Sequence, residues 1–450
     1  MQKIISLLFL FMLTLSSASA ESVSRTLSSL GVNKSAVSVS IKNVKSNSSP
    51  YTLNERVPRL PASTLKLLTI SAAYDVLGAD YVYKTSLYKS TNNDLYLKLS
   101  GDPLLTTSDL EKLLGTAKSK NILEPKGFYI DDTAFDNVEW GEGWQWDDEL
   151  SPYMPRFSIY NINNNLSKIE IAPTTPGAPA QITVKPFYPY AFVNQVVSAL
   201  KGQDNVKIMK SDIIAPNMLS LQGVVTKRVN ITLPVLNPKM SFRLRLEDAI
   251  RAKKLEYYSN ISNATMPKEN IYLVDVVTHD IGSLLPLIYK QSNNLVAETL
   301  FKTAGSVYAS DVASAQNSLE MLNSYIDSIG LNKDDIKVVD GSGVSKNNLM
   351  TSKFMVEFLS YKAAQEDFEH FKNLFPQPGE GTLRNRMLYF KDCLRAKTGT
   401  LSDASAIAGY ITTKRGNLYA FDIMINDPKT SGDDKKNIEE QILRAIYVNY

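Results

Sequence analysis

The stretch Pro58-Arg59-Leu60-Pro61-Ala62-Ser63-Thr64-Leu65-Lys66-Leu67-Leu68-Thr69-Ile70 decides how the rest of the chain is read. Two prolines mark an irregular approach, and the apolar run behind them continues through Ala72 and Ala73 as a helix. Ser63 falls at the mouth of that helix, and Lys66 lies three residues on, on the same face. Most of the helix is apolar enough to be buried. Lysine is seldom buried without a partner or a task. A hydroxyl and an amine held together at a helix start form a nucleophile and a base.

Ser-x-x-Lys alone is a weak signal, and the chain carries it at Ser63/Lys66, Ser86/Lys89 and Ser198/Lys201. Ser86 is expected in a strand, where residues i and i+3 point to opposite faces. Ser198 is expected near the end of a helix within 186–201, away from the free N–H groups of a helix start. Only Ser63 has those donors, which favour developing negative charge. Two tripeptides follow in order. Ser292-Asn293-Asn294 opens a helix, whereas Ser90/Asn92 and Ser345/Asn347 match Ser-x-Asn in turns. Lys397-Thr398-Gly399 occurs once, at the start of a strand. Each motif is weak singly; the ordered set is specific to serine-lysine acyl enzymes.

With these residues the chain resembles the penicillin-binding serine D-alanyl-D-alanine peptidases, whose clan includes the serine β-lactamases. It looks most like the low-molecular-mass class C members. The gap between Lys66 and Ser292 holds 225 residues, far more than one transpeptidase-like domain needs. Gly143-Trp144-Gln145-Trp146-Asp147-Asp148 resembles the subclass's Gly-Trp-x-Trp-x-Asp segment, and Asp340-Gly341-Ser342-Gly343-Val344-Ser345 its Asp-Gly-Ser-Gly loop. The resemblance implies that Ser63 attacks the carbonyl between two D-alanines, with neutral Lys66 taking its proton. Burial and a second cation, Lys397, push the Lys66 pKa toward that role. It further implies that Ser292 relays a proton to the leaving amine and that Asn294 holds the substrate backbone. Lys397 and Thr398 would bind the terminal carboxylate, and Gly399 would let the substrate lie along the strand. The N–H groups of Ser63 and Thr400 would form an oxyanion hole. Asp148 would face the amine of a diaminopimelate-type stem peptide. Two positions depart from the pattern: Ser402 stands where relatives often have glutamine, and Lys346 where some have arginine, whose planar fork is lost.

The chain has 450 residues, 44% of them hydrophobic, enough for two or three domains. Residues 1–20 read as a secretory signal peptide, from Lys3 through the apolar Ile4–Leu15 to Ala18-Ser19-Ala20. An exported, periplasmic protein is expected. Without that segment the net charge falls from +3 to about +2, too balanced for nucleic acid. The lone Cys393 excludes an internal disulfide; it reads as a buried thiol in a strand, with a nucleophile as the alternative. Two histidines without zinc spacing imply no metal, and no cofactor is expected.

The expected architecture is α+β, with a helix-flanked, transpeptidase/β-lactamase-like antiparallel sheet built from both chain ends, 21–83 and 275–450. Residues 84–165 and 241–274 would form an inserted second domain, and 166–240 a nested β-rich third. Residues 36–44 alternate as a half-buried strand does, and 83–88 with 95–99 read as a hairpin. All three tryptophans fall within 140–146, as a satellite core or as a ligand surface. The tail 436–450 reads as a closing helix or as a membrane-surface helix. The expected function is a D-alanyl-D-alanine carboxypeptidase or endopeptidase acting on peptidoglycan stem peptides and acylated by β-lactams. Alternatives are a β-lactamase, a His279/Asp280 hydrolase without a Gly-x-Ser-x-Gly elbow, and a non-hydrolytic peptidoglycan- or penicillin-binding envelope protein.

Overall fold

The structure is a computed structural model that describes residues 23–210, 217–255 and 261–450. The expected signal peptide lies outside the described residues. A five-stranded antiparallel sheet runs in the order Leu394–Thr400, Ala404–Thr412, Leu418–Asn426, Val37–Asn43 and Tyr51–Leu53. Its strands thus come from both ends of the chain. Helix Gly432–Asn449 covers one face, with Ile442, Leu443 and Ile446 packed on Val39, Ile41 and Phe421. That helix buries its main apolar face on the sheet, as the closing-helix reading expects. Helices Lys66–Leu77, Ile281–Tyr289, Asn294–Ala309, Ala315–Ser328 and Ser352–Ala363 build the core beyond the other face.

Coverage on both faces corrects the half-buried reading of 36–44. Ser38 and Ser40 are buried like their apolar neighbours. Hydrogen bonds offset the cost: Ser38 Oγ donates to the Asn54 carbonyl at 2.9 Å, and Ser40 and Ser352 Oγ lie 3.0 Å apart. No described helix is long and apolar enough to cross a membrane.

The chain leaves and re-enters this unit along one ladder. Strand Val82–Ser90 pairs antiparallel with Ile271–Asp280, from Ser90↔Ile271 to Val82↔Asp280, with a shift of register between Leu273 and Asp275. The returning strand therefore runs past residue 275 to Asp280. Both belong to a second five-stranded sheet, which also includes Leu95–Lys98, Phe128–Asp131 and Ile261–Asn263. Helices Thr107–Ser119 and Pro238–Ala252 close its core with Leu110, Leu114, Phe242 and Leu246.

Residues 166–234 form two three-stranded sheets around Ile169, Val196, Leu219 and Leu233. The helix expected within 186–201 is instead strand Ala191–Ser198, paired in parallel with Met218–Val225. Phe192, Val193, Val196 and Val197 favour a pleated surface, and so short an apolar run has no decisive period of its own. Ser198 consequently sits in a strand rather than near a helix end. Cys393 also differs from expectation: it precedes the strand that starts at Leu394, half-buried, with its thiol directed at the Phe390 carbonyl at 3.2 Å. Burial raises its pKa, followed by the effect of Asp392, so it is a poor nucleophile.

Candidate active site

Ser63 lies in a 3₁₀ turn, Ala62–Leu65, that runs into helix Lys66–Leu77. Ala62 is left-handed at φ 47°, so the chain turns sharply just before Ser63. Strand Leu394–Thr400 passes so close that a Cβ on Gly399 would lie 2.8 Å from the Ser63 nitrogen. Glycine is thus required there by backbone approach, not by φ.

Lys66 is wholly buried, and its Nζ meets three oxygens. Ser63 Oγ is at 2.9 Å, Asn294 Oδ1 at 2.6 Å and the Ser342 carbonyl at 2.6 Å. Two of these can only accept. A neutral amine has two N–H groups and one lone pair. It can give both hydrogens to Asn294 and Ser342 and turn the lone pair to the Ser63 O–H. Burial pushes the Lys66 pKa down to about 7, against the opposing pull of Asp340 and Glu298. A substantial neutral fraction therefore exists near pH 7.

Ser292 also occupies the left-handed region, at φ 59°, just before helix Asn294–Ala309, which Asn293 caps. Lys397 Nζ donates to Ser292 Oγ at 2.8 Å and to the Thr398 carbonyl at 2.7 Å. Lys397 is fully buried, and burial first, then Lys66, holds its pKa well below the ordinary lysine range. Because Ser292 Oγ accepts from Lys397, its own proton is free for a third group. Thr398 Oγ1 donates to Thr382 Oγ1 at 2.8 Å.

A cleft of 540 Å³ opens over these groups, lined by Ser63, Ser292, Asn294 and Thr398, with Asp148 and Lys346 on its rim. Thr400 also lines it, exposed at the strand end. Asp148 is half-buried; burial and neighbouring Asp147 raise its pKa while Lys346 lowers it. Lys346 Nζ is held 3.0 Å from Ser402 Oγ and 2.9 Å from Asp403 Oδ1. Ser402 therefore tethers the lysine that stands in for arginine. The Asn294 amide is engaged at both ends, since its Nδ2 donates to the Tyr153 carbonyl at 2.7 Å.

Residues 62–66, 292–294, 340–346 and 397–400 thus meet at one cleft, while Ser86, Lys89 and Ser198 lie in strands of the inserted units and Lys201 in the bend that follows. The tryptophan segment is partly a satellite core. Trp144 is buried and donates to Asp340 Oδ2 at 2.8 Å, whereas Trp146 is 79% exposed. His279 does not pair with Asp280: its Nδ1 lies 2.6 Å from Asp102 Oδ2, and Asp280 caps a helix through Ser283. Neither lines the cleft. No metal-binding group of three or more such side chains occurs among the described residues.

Residues 19–446 match the D-Ala-D-Ala carboxypeptidase 3 (S13) family. The chain belongs to that family. It is therefore a serine-type D-alanyl-D-alanine carboxypeptidase. It is 27% identical over 428 residues to the D-alanyl-D-alanine carboxypeptidase DacB of Haemophilus influenzae, covering 91% of this chain and 88% of that one. A D-alanyl-D-alanine carboxypeptidase of Actinomadura is 26% identical over 396 residues, 82% of this chain and 73% of its relative. The crystal structure of penicillin binding protein 4 from Haemophilus influenzae superposes with a TM-score of 0.80 at 27% identity. That match covers 91% of this chain and 95% of the other. The α+β class and the family resemblance are thereby borne out.

Several residues escaped the motif reading. Asp340 gathers four hydrogen bonds, from Trp144 Nε1, Gly343 N, Ser345 N and Asn348 Nδ2. Glu298 accepts from two backbone N–H groups of the same loop. Thr382 lines the cleft from a separate segment, and Asp403 holds Lys346 beside it. Asp340 stands in the Asp-Gly-Ser-Gly segment without a role of its own in that reading, and Glu298 lies four residues after Asn294, hence on the same helix face.

Proposed function

We propose that the protein is an exported hydrolase that removes the terminal D-alanine of peptidoglycan stem peptides, or cleaves the cross-link at the same bond, through an acyl-enzyme on Ser63. The observation that carries this is the contact of Lys66 Nζ with Ser63 Oγ at 2.9 Å, beside Ser292–Lys397 at 2.8 Å. Ser63 Oγ bonds to the carbonyl carbon between the two D-alanines as its proton passes to Lys66. The oxyanion takes the N–H groups of Ser63 and Thr400. Ser292 gives a proton to the departing amine and is reprotonated from the lysines. The carbon–nitrogen bond breaks, D-alanine leaves, and water then hydrolyses the ester. Lys397 and Thr398 hold the terminal carboxylate, and a β-lactam acylates Ser63 by the same attack. Export rests on residues 1–20.

The direct test is D-alanine release from a stem pentapeptide. Stoichiometric acylation by penicillin without any release would favour a non-hydrolytic binder. Rapid turnover of a chromogenic cephalosporin would favour a β-lactamase. Asp148 is proposed to receive the side-chain amine of the stem peptide. Asp148→Asn is expected to raise KM about tenfold for a peptide with a free amine. The same variant should leave KM unchanged for the N-acetylated peptide. Equal effects on both peptides would remove Asp148 from that role.

A further inference from the structure

Glu298 is buried on helix Asn294–Ala309 and lies outside the three motifs. Its Oε2 accepts from Gly341 N at 3.1 Å and its Oε1 from Ser342 N at 2.7 Å. Each oxygen is thus committed to a backbone donor. On the other side of the loop, Thr69 Oγ1 donates to the Gly341 carbonyl at 2.7 Å. The Ser342 carbonyl, part of the residue that Glu298 grips, meets Lys66 Nζ at 2.6 Å.

Burying a second carboxylate beside Asp340 is costly, and an apolar side chain would fill the same space without that cost. Asp340 alone already ties up Gly343, Ser345 and Asn348. What Glu298 adds is the direction of one carbonyl. That carbonyl occupies one N–H of Lys66, and Asn294 Oδ1, one turn earlier on the same helix, occupies the other. Helix Asn294–Ala309 therefore fixes both hydrogens of the base, one directly and one through the loop.

We propose that Glu298 is a positioning residue for Lys66: by clamping the 341–342 backbone it aims the Ser342 carbonyl so that the amine lone pair faces Ser63. This rests on the reading of Ser63 as the acylated residue. The charge acts as well. Lys66 faces Glu298 from its helix, Asp340 from the loop and Lys397 from the strand, and Glu298 also faces Lys302 one turn on. Burial, then Asp340, raises the Glu298 carboxyl to about 7 while Lys66 pulls it back, so the two groups titrate together, and wherever Glu298 is ionised it favours the Lys66 ammonium form. Removing that charge lets the neutral amine persist to lower pH.

The test is the rate of Ser63 acylation by benzylpenicillin from pH 5 to 9, followed by intact mass spectrometry. The wild type, Glu298→Gln and Glu298→Asp are compared. Glu298→Gln is expected to lower the plateau rate at least about tenfold and to move the acidic limb down by about one pH unit. Glu298→Asp keeps the charge but is too short for both N–H groups. It should lower the plateau with the limb near that of the wild type, which keeps the test decisive if the Gln variant does not fold. A uniform loss in Glu298→Gln without a limb shift would mean a purely structural residue and overturn the inference. An unchanged plateau in either variant would also overturn it. A wild type that takes up no penicillin would instead overturn the acyl-enzyme reading itself.

Discussion

Lys66→Met is expected to slow acylation of Ser63 by about 10⁴-fold or more, with the far-UV spectrum of the fold retained. Methionine has nearly the length of the lysine stem and replaces a wholly buried amine, so the helix keeps its packing. What disappears is the only amine within bonding distance of Ser63 Oγ among the described residues. The pH profile separates this role from a packing role. With the amine held at about 7, only its neutral fraction can take the Ser63 proton. The wild-type rate should therefore climb tenfold per unit up to about pH 7 and level off above. The residual rate of Lys66→Met should lack that limb. A limb that survives in the variant would assign the titration to another group.

Gly343→Ala is the second large effect, and it acts on stability and chemistry together. Gly343 is left-handed at φ 77°, and a Cβ there would lie 2.0 Å from the Ala62 carbonyl oxygen. The atom struck is backbone, one residue before the nucleophile, so no side chain can swing aside. The cost is expected at about 3 kcal/mol or more, the sum of a disfavoured φ and a forced shift of the Ala62–Ser63 segment. Acylation should fall at least about a hundredfold, because a displacement near 1 Å is enough to misalign a reacting pair. Gly416→Ala is the control. Gly416 has a similar φ of 78° but open space around it, so it should lose only about 1 kcal/mol and no activity. Urea unfolding of both variants measures the difference. Equal losses would show that the contact with Ala62 has no weight.

The placement of Ser63, both lysines and the Ser-x-Asn turn was legible in the sequence because each lies in a short local pattern whose spacing is set by one helix or one strand. The two-ended sheet was legible by necessity, since Ser63 must meet residues beyond 290. The loop carboxylates were harder to see. Asp340 stabilises backbone N–H groups within its own loop, which is visible afterwards in Asp-Gly-Ser-Gly. Glu298 serves a loop more than forty residues away, and no spacing rule reaches that far. Ala191–Ser198 was misread because its partner Met218–Val225, not its own period, makes it a strand. His279 looked like a partner for the adjacent Asp280, but adjacent residues in a strand point to opposite faces. It turned instead to Asp102, a pairing that only the tertiary fold creates. Ser38 and Ser40 kept the alternation of a surface strand inside a sheet covered on both sides, because their hydroxyls found partners there.

The measurement that bears most directly on the account is peptide mapping by mass spectrometry after brief exposure of the intact protein to benzylpenicillin. A covalent penicilloyl adduct is expected on the peptide containing Ser63 and is absent in Ser63→Ala. An adduct on any other serine, or none on the folded wild-type protein, would contradict it.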